Sequence, residues 1–193
     1  MDLTEGTIQE KNDRAKRMML WFGIISLIMS FAGLTSAVLV SRKREDWMQD
    51  FEMPSAFLIS CVLIIVSSLT FIVAKRALKN DNRTLTTIML LLTFGLGIAF
   101  IYSQFYGFGQ IVSSGYNFTG PTSNVTMSFI YVIAAVHILH VVAGLISLLV
   151  VIYNHFKQKY NATDMLGMNL SATFWHFIDI LWLFLFLFLS YLV

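Results

Sequence analysis

Apolar residues in this chain come in long unbroken runs, not in the alternating or one-faced patterns of a soluble domain. Five runs stand out, at about 18–41, 54–75, 84–106, 126–153 and 172–193. A bilayer core takes roughly 20 apolar residues of helix, and each run reaches that length nearly free of charge. Strands of a membrane barrel would be about 10 residues long and would alternate; these runs are about twice that and do not alternate. The pattern predicts an all-α membrane protein. A bundle of five transmembrane helices fills residues 18–193, behind a polar cytoplasmic segment at 1–17. Polar or turn-forming stretches at 42–46, 79–82, 113–121 and 157–159 separate the runs.

Cationic residues orient the bundle, because Lys and Arg collect on the inner side. Lys11, Arg14, Lys16, Arg17, Lys75, Arg76, Lys79, Arg83, Lys157 and Lys159 fall on one side, and Arg42, Lys43 and Arg44 on the other. Ten against three places the N-terminus inside and the C-terminus outside. The uncharged connection at 107–125 then faces outward. Asn117 and Asn124 sit there in N-glycosylation patterns, but Asn82 and Asn161 do so on the inner side. A pattern present on both faces decides nothing. The first run follows about 17 mostly polar residues, so it reads as a spanning helix and not as a cleavable signal.

Composition sharpens this picture. Charged residues make up 12% of the chain and hydrophobic ones 57%, where a soluble domain carries about 25% charged. Mean hydropathy is +0.73. The lone cysteine, Cys61, lies in an apolar run and reads as a small buried hydrophobe; it cannot make an internal disulfide or a cysteine-rich metal site. No basic stripe with interleaved aromatics is present, so nucleic acid is not an expected partner.

Ionisable residues inside the spans are few. His137 and His140 lie on the fourth run, His176 and Asp179 on the fifth, and the first three runs have none. Each pair is three residues apart and shares a helix face. Intramembrane ionisable groups face the interior and find partners. Three readings remain open on the residues alone. The set is hydrogen-bonding glue between helices, a site for a lipid head group or a proton, or a metal or haem site. The last needs His176 to reach across to His137 or His140, as in a small b-type cytochrome. A coupled transporter is disfavoured, because it would carry acids and bases along several helices. Gly95, Gly97, Gly107 and Gly109 mark spots for close helix contact, and Ser67, Ser68 and Thr70 are expected to hydrogen-bond between helices.

Two C-terminal stretches carry a family resemblance. Trp175-His176-Phe177-Ile178-Asp179-Ile180-Leu181-Trp182 resembles the "WHFVDxxW" signature in the last helix of subunit III of haem–copper oxidases. His137-Ile138-Leu139-His140-Val141-Val142-Ala143-Gly144 resembles the "HGLHVxxG" signature of the helix before it. Gly97, Phe100 and Gln104 fit the family's pattern on the middle helix, and Phe31-Ala32-Gly33-Leu34 the end of its first shared helix. The chain is similar to short bacterial members that lack the first two of seven helices. Two positions depart from the pattern. Leu27 stands where the family commonly has glutamate, and Ala135-Val136 precede His137 where a glycine is common.

The resemblance implies a role and not a reaction. It implies a bacterial inner-membrane subunit with no redox centre of its own. Such a subunit packs beside subunit I, in a complex with subunit II that holds haem and copper. It binds phospholipid and sustains proton uptake while oxygen is reduced to water. Cytochrome c oxidase is the expected class; a quinol oxidase or the accessory protein of a nitric oxide reductase is the alternative. On this view no residue of the chain is catalytic or binds metal. His137, His140, Trp175, His176 and Asp179 then form its polar interior, or part of a lipid site.

Overall fold

The computed structural model describes residues 6–48, 53–116, 124–160 and 164–192. Five helices follow one another: α1 (Ile8–Ser41), α2 (Ser55–Lys79), α3 (Arg83–Ser113), α4 (Val125–Phe156) and α5 (Leu166–Leu192). All five are long and apolar enough to cross a membrane, and the described residues contain no strand. Helices are the open-chain solution in lipid, because each satisfies its own backbone hydrogen bonds.

Most helix ends run past the apolar runs. At about 1.5 Å per residue, the 34 residues of α1 are much longer than a bilayer core of about 30 Å. The excess is polar: residues 8–17, assigned above to a segment ahead of the first helix, form its first turns. Thr7 caps them. Its hydroxyl accepts from the Glu10 N–H at 3.3 Å, and the Glu10 carboxylate accepts from the Thr7 N–H at 2.8 Å. This is a reciprocal capping box. In the same way α3 continues seven residues past 106, to Ser113, and α5 begins six residues before 172, at Leu166. Between α2 and α3 the turn is tight. Asp81 adopts φ 57° there, and Asn82 caps α3 by accepting from the Leu85 N–H at 3.1 Å.

Helices α2, α3, α4 and α5 form a closed ring in which each packs on the next and α5 returns to α2. Helix α1 lies outside it, against α4 and α5. Only one narrow stripe of α1 is buried, made of Ile24, Phe31, Thr35 and Val38. Leu27 falls on that seam and is half-buried. No residue of α1 before Ile24 is buried, so the helix parts from α5 towards its N-terminal end. The α1–α2 connection is tied down at two points. Trp47 is buried, and the Met48 N–H donates to Thr126 Oγ1 at the start of α4, at 3.0 Å. Arg44 and Asp46 pair there at 2.8 Å. The guanidinium hydrogen bond holds the Asp46 carboxyl below its usual range.

Candidate functional site: the polar and aromatic spine of α5

Helix α5 presents Trp175 and Trp182, seven residues apart and so on one face. Helix α2 runs antiparallel to it with Ser60 and Ser67, also seven apart. The two pairs meet in register. Trp175 Nε1 donates to Ser67 Oγ at 2.9 Å, and Trp182 Nε1 donates to Ser60 Oγ at 2.9 Å. Both indoles are buried, at 1% and 2% exposure. A buried indole N–H needs an acceptor, and these serines supply one without bringing charge into the membrane.

Trp175 also fills a notch cut by two glycines. A Cβ on Gly97 of α3 would lie 2.8 Å from Trp175 Cη2 and 2.8 Å from Leu145 Cδ2. A Cβ on Gly144 of α4 would lie 2.8 Å from Ile178 Cδ1 and 3.1 Å from Trp175 Cε3. One side chain thus crosses the ring from α5 and touches α2, α3 and α4. Of the small-residue spots read from sequence, Gly97 and Gly107 are close contacts, the latter against Phe57. Gly95 and Gly109 face open space.

Trp182 organises the next layer. The His137 ring stacks on it at 4.9 Å between centroids, and Phe100 and Phe57 meet it edge-on at 5.5 and 6.0 Å. His137 is fully buried, and neither ring nitrogen has a hydrogen-bond partner. Gln104, one turn along α3 from Phe100, is likewise fully buried with its amide unpaired.

The four ionisable residues therefore do not form one cluster. The rings of His137 and His140 both meet Phe31 of α1, at 6.3 and 5.7 Å. His140 Nδ1 pairs with the Val136 carbonyl of its own helix at 2.7 Å. His176 turns to α2, where Nδ1 and Ser68 Oγ are 2.5 Å apart. Asp179 is buried at 3% exposure, and neither oxygen completes a hydrogen bond. Hydrogen-bonding glue therefore describes His176 alone among the four. It describes Ser67, Ser68 and Thr70 fully, the last pairing with Thr93 of α3 at 2.8 Å. The His176 ring lies against Phe71 and Ser68 of α2 while His137 lies against Trp182 and Phe100, so no contact joins the histidines of α4 to that of α5. Among the described residues no group of three or more His, Cys, Asp or Glu side chains is placed to hold a metal.

Sequence reasoning missed Ser60 and did not give Trp182 a role. The matched seven-residue spacings on α2 and α5 were the available signal. Replacing Ser67 with alanine should leave a buried indole N–H without an acceptor. The expected cost is about 1–3 kcal/mol, read as a lower thermal unfolding midpoint in detergent with helix content unchanged.

Comparison with known proteins follows the same elements. The family pattern for cytochrome c oxidase subunit III matches residues 44–193, which hold the whole α2–α5 ring. The chain is 33% identical over 136 residues to "Cytochrome bo(3) ubiquinol oxidase subunit 3" of Buchnera aphidicola. That match covers 68% of this chain and 66% of the relative. It is 28% identical over 184 residues to "Cytochrome c oxidase subunit 3" of Bacillus sp. strain PS3, covering 93% of this chain and 86% of the relative. With "Cytochrome c oxidase subunit 3" of Thermostichus vulcanus it shares 30% identity over 167 residues, 84% of this chain and 80% of the relative. The family match spans the whole ring, the relatives are named as third subunits of two oxidase classes, and the chain belongs to the cytochrome c oxidase subunit III family.

Proposed function

We propose that the chain is the third subunit of a respiratory haem–copper terminal oxidase in a bacterial inner membrane, with the N-terminus on the inner side. It carries no redox centre. Its partners are subunit I, against which it packs, and subunit II; together these hold the haem and copper that reduce oxygen to water. Cytochrome c is the proposed donor. Relatives named for ubiquinol oxidases keep the quinol class as the second reading.

The observation that carries the role is how the interior is used. The largest buried side chains of α5 are committed to α2, α3 and α4 through Ser60, Ser67, Gly97 and Gly144. Such a ring suits a scaffold that offers its outer faces to lipid and to a larger subunit. Exposed apolar side chains along α1, including Trp21, Phe22, Met29 and Val40, supply one such face. Phospholipid is part of the proposal. A crevice of about 320 Å³ opens between α1, α2 and α5 where α1 parts from the ring, and Arg17 and Lys75 flank it. Two cations beside apolar Leu20, Trp21 and Leu170 suit a phosphate head group with its acyl chain. Leu27 on the α1 seam leaves this chain without a carboxylate at the place where the resemblance expects one.

Capture of the chain from native membranes in mild detergent tests the reading. The eluate is expected to show haem bands in a reduced-minus-oxidised spectrum, together with a larger histidine-rich polypeptide. The second subunit retained with it names the donor. Recovery of the chain alone, from membranes with active oxidase, would overturn the proposal.

A further inference from the structure

Two polar side chains are sealed inside the ring with nothing to bond. His137 of α4 and Gln104 of α3 are both 0% exposed, and none of their four polar side-chain atoms has a hydrogen-bond partner. Buried amides and imidazoles are almost always paired, because a polar atom taken from water and left unbonded is costly. The hydroxyls nearby are already engaged. Ser60 Oγ accepts from Trp182 and donates to the Phe57 carbonyl, and Ser103 Oγ donates to the Phe100 carbonyl.

The two residues stand level with each other. Helices α3 and α4 run antiparallel, and two contacts fix their register. A Cβ on Gly97 would lie 2.8 Å from Leu145 Cδ2, and the Phe108 and Tyr131 rings are 5.1 Å apart. Equal rise along both helices between those contacts sets Gln104 opposite about residue 136. Phe100 links the pair. Its ring meets His137 edge-on at 5.9 Å, and Gln104 follows it by one turn on the same buried face. Ala134, one turn before His137 on the buried face of α4, puts only a methyl group beside them.

The chemistry of the pair is complementary. His137 is ringed by Phe31, Phe100 and Trp182 and pairs with no carboxylate. A lone charge is not held in such a place, so the imidazole is neutral, with one N–H and one lone pair. Gln104 offers N–H donors and a carbonyl. No hydrogen bond joins the two directly. A molecule that bridges them must donate and accept at once, carry no charge, and fit between fully covered side chains. Water meets all three conditions, and buried waters join polar groups of this kind.

We propose that His137 and Gln104 hold an ordered water between them, a hydrogen-bonded bolt through the α3–α4 seam. The water accepts from the N–H of one residue and donates to the acceptor of the other. It thereby fixes the plane of the imidazole that stacks on Trp182. The site lies wholly within this chain and is independent of which oxidase houses it.

X-ray radiolysis of the native complex tests the site, because it makes hydroxyl radicals from bound water in place. Radicals from bulk water do not reach a side chain at 0% exposure, so oxidation of His137 has to start at a water inside the ring. Wild-type His137 is expected to be oxidised. Gln104→Met, which keeps the volume and removes both polar atoms, is expected to lose that label. Trp175, buried at 1% and bonded to Ser67, sets the baseline in both. If the methionine variant does not accumulate, a density map of the wild-type complex decides. A peak within about 3 Å of both a His137 nitrogen and a Gln104 amide atom is the expected result. A His137 without label, a label that survives Gln104→Met, or a map in which the two side chains bond directly or have no peak between them would each overturn the proposal.

Discussion

Replacing Trp175 with alanine is expected to produce the largest loss of stability of any single change in the chain. Truncating a fully buried aromatic costs about 3–5 kcal/mol, through the apolar burial it forfeits and the cavity it leaves behind. Here the indole is 1% exposed and touches α2, α3 and α4 together. Ser67 also loses the donor on its hydroxyl. Because the neighbours of the indole belong to three different helices, the damage should appear as failure of the ring to close and not as fraying of one helix. The measurement is the amount of chain recovered in the assembled complex, with helix content followed by circular dichroism. Trp175→Phe keeps most of the volume but no N–H donor, and should recover part of the stability. Wild-type recovery of the alanine variant would show that the notch is not what holds the ring.

Filling the notch from the other side should be nearly as damaging. Gly97→Leu brings a Cβ to 2.8 Å from both Trp175 and Leu145, before the rest of the side chain is placed. The indole cannot retreat, because Gly144 and Ser67 fix it from behind. Overpacking of this kind typically costs about 1–3 kcal/mol and sometimes more, and here it forces α3 away from α5. Gly95→Leu is the matched control. It adds the same side chain two residues earlier, where a Cβ meets nothing within 4 Å. The expected result is a sharply lowered thermal midpoint for the first variant and a wild-type midpoint for the second. Equal midpoints would remove the notch as an explanation.

The spans were legible because a bilayer leaves the backbone few choices, and all five apolar runs became helices. Their ends were not, because hydropathy marks where lipid stops and not where hydrogen bonding stops. Residues 8–17 are polar and still helical, held by the Thr7–Glu10 box. Motif spacing also found the right segments of α4 and α5. It could not say what each residue touches. His137 and His140 share a face towards Phe31, as three-residue spacing requires, yet one stacks on Trp182 and the other bonds its own backbone. Ser60 looked like any serine in an apolar run. Its role depends on Trp182, more than a hundred residues later, and only the antiparallel register of α2 and α5 brings them level. The Asn117 and Asn161 patterns lie outside the described residues.

The position of Trp175 in the chain gives the ring a direction in time. Ribosomes deliver α2, α3 and α4 to the membrane before α5 exists, so for that interval the cleft between Gly97 and Gly144 stands open. The hydroxyls of Ser60 and Ser67 then wait without their indole donors. The fifth helix shuts the cleft and satisfies both hydroxyls in one docking event. A nascent chain that stalls short of residue 175 lacks the indole that fills the notch at Gly97 and Gly144 and the donors for Ser60 and Ser67. Closure of the ring therefore waits for α5, and only a chain that has delivered that helix offers a sealed surface to the rest of its complex.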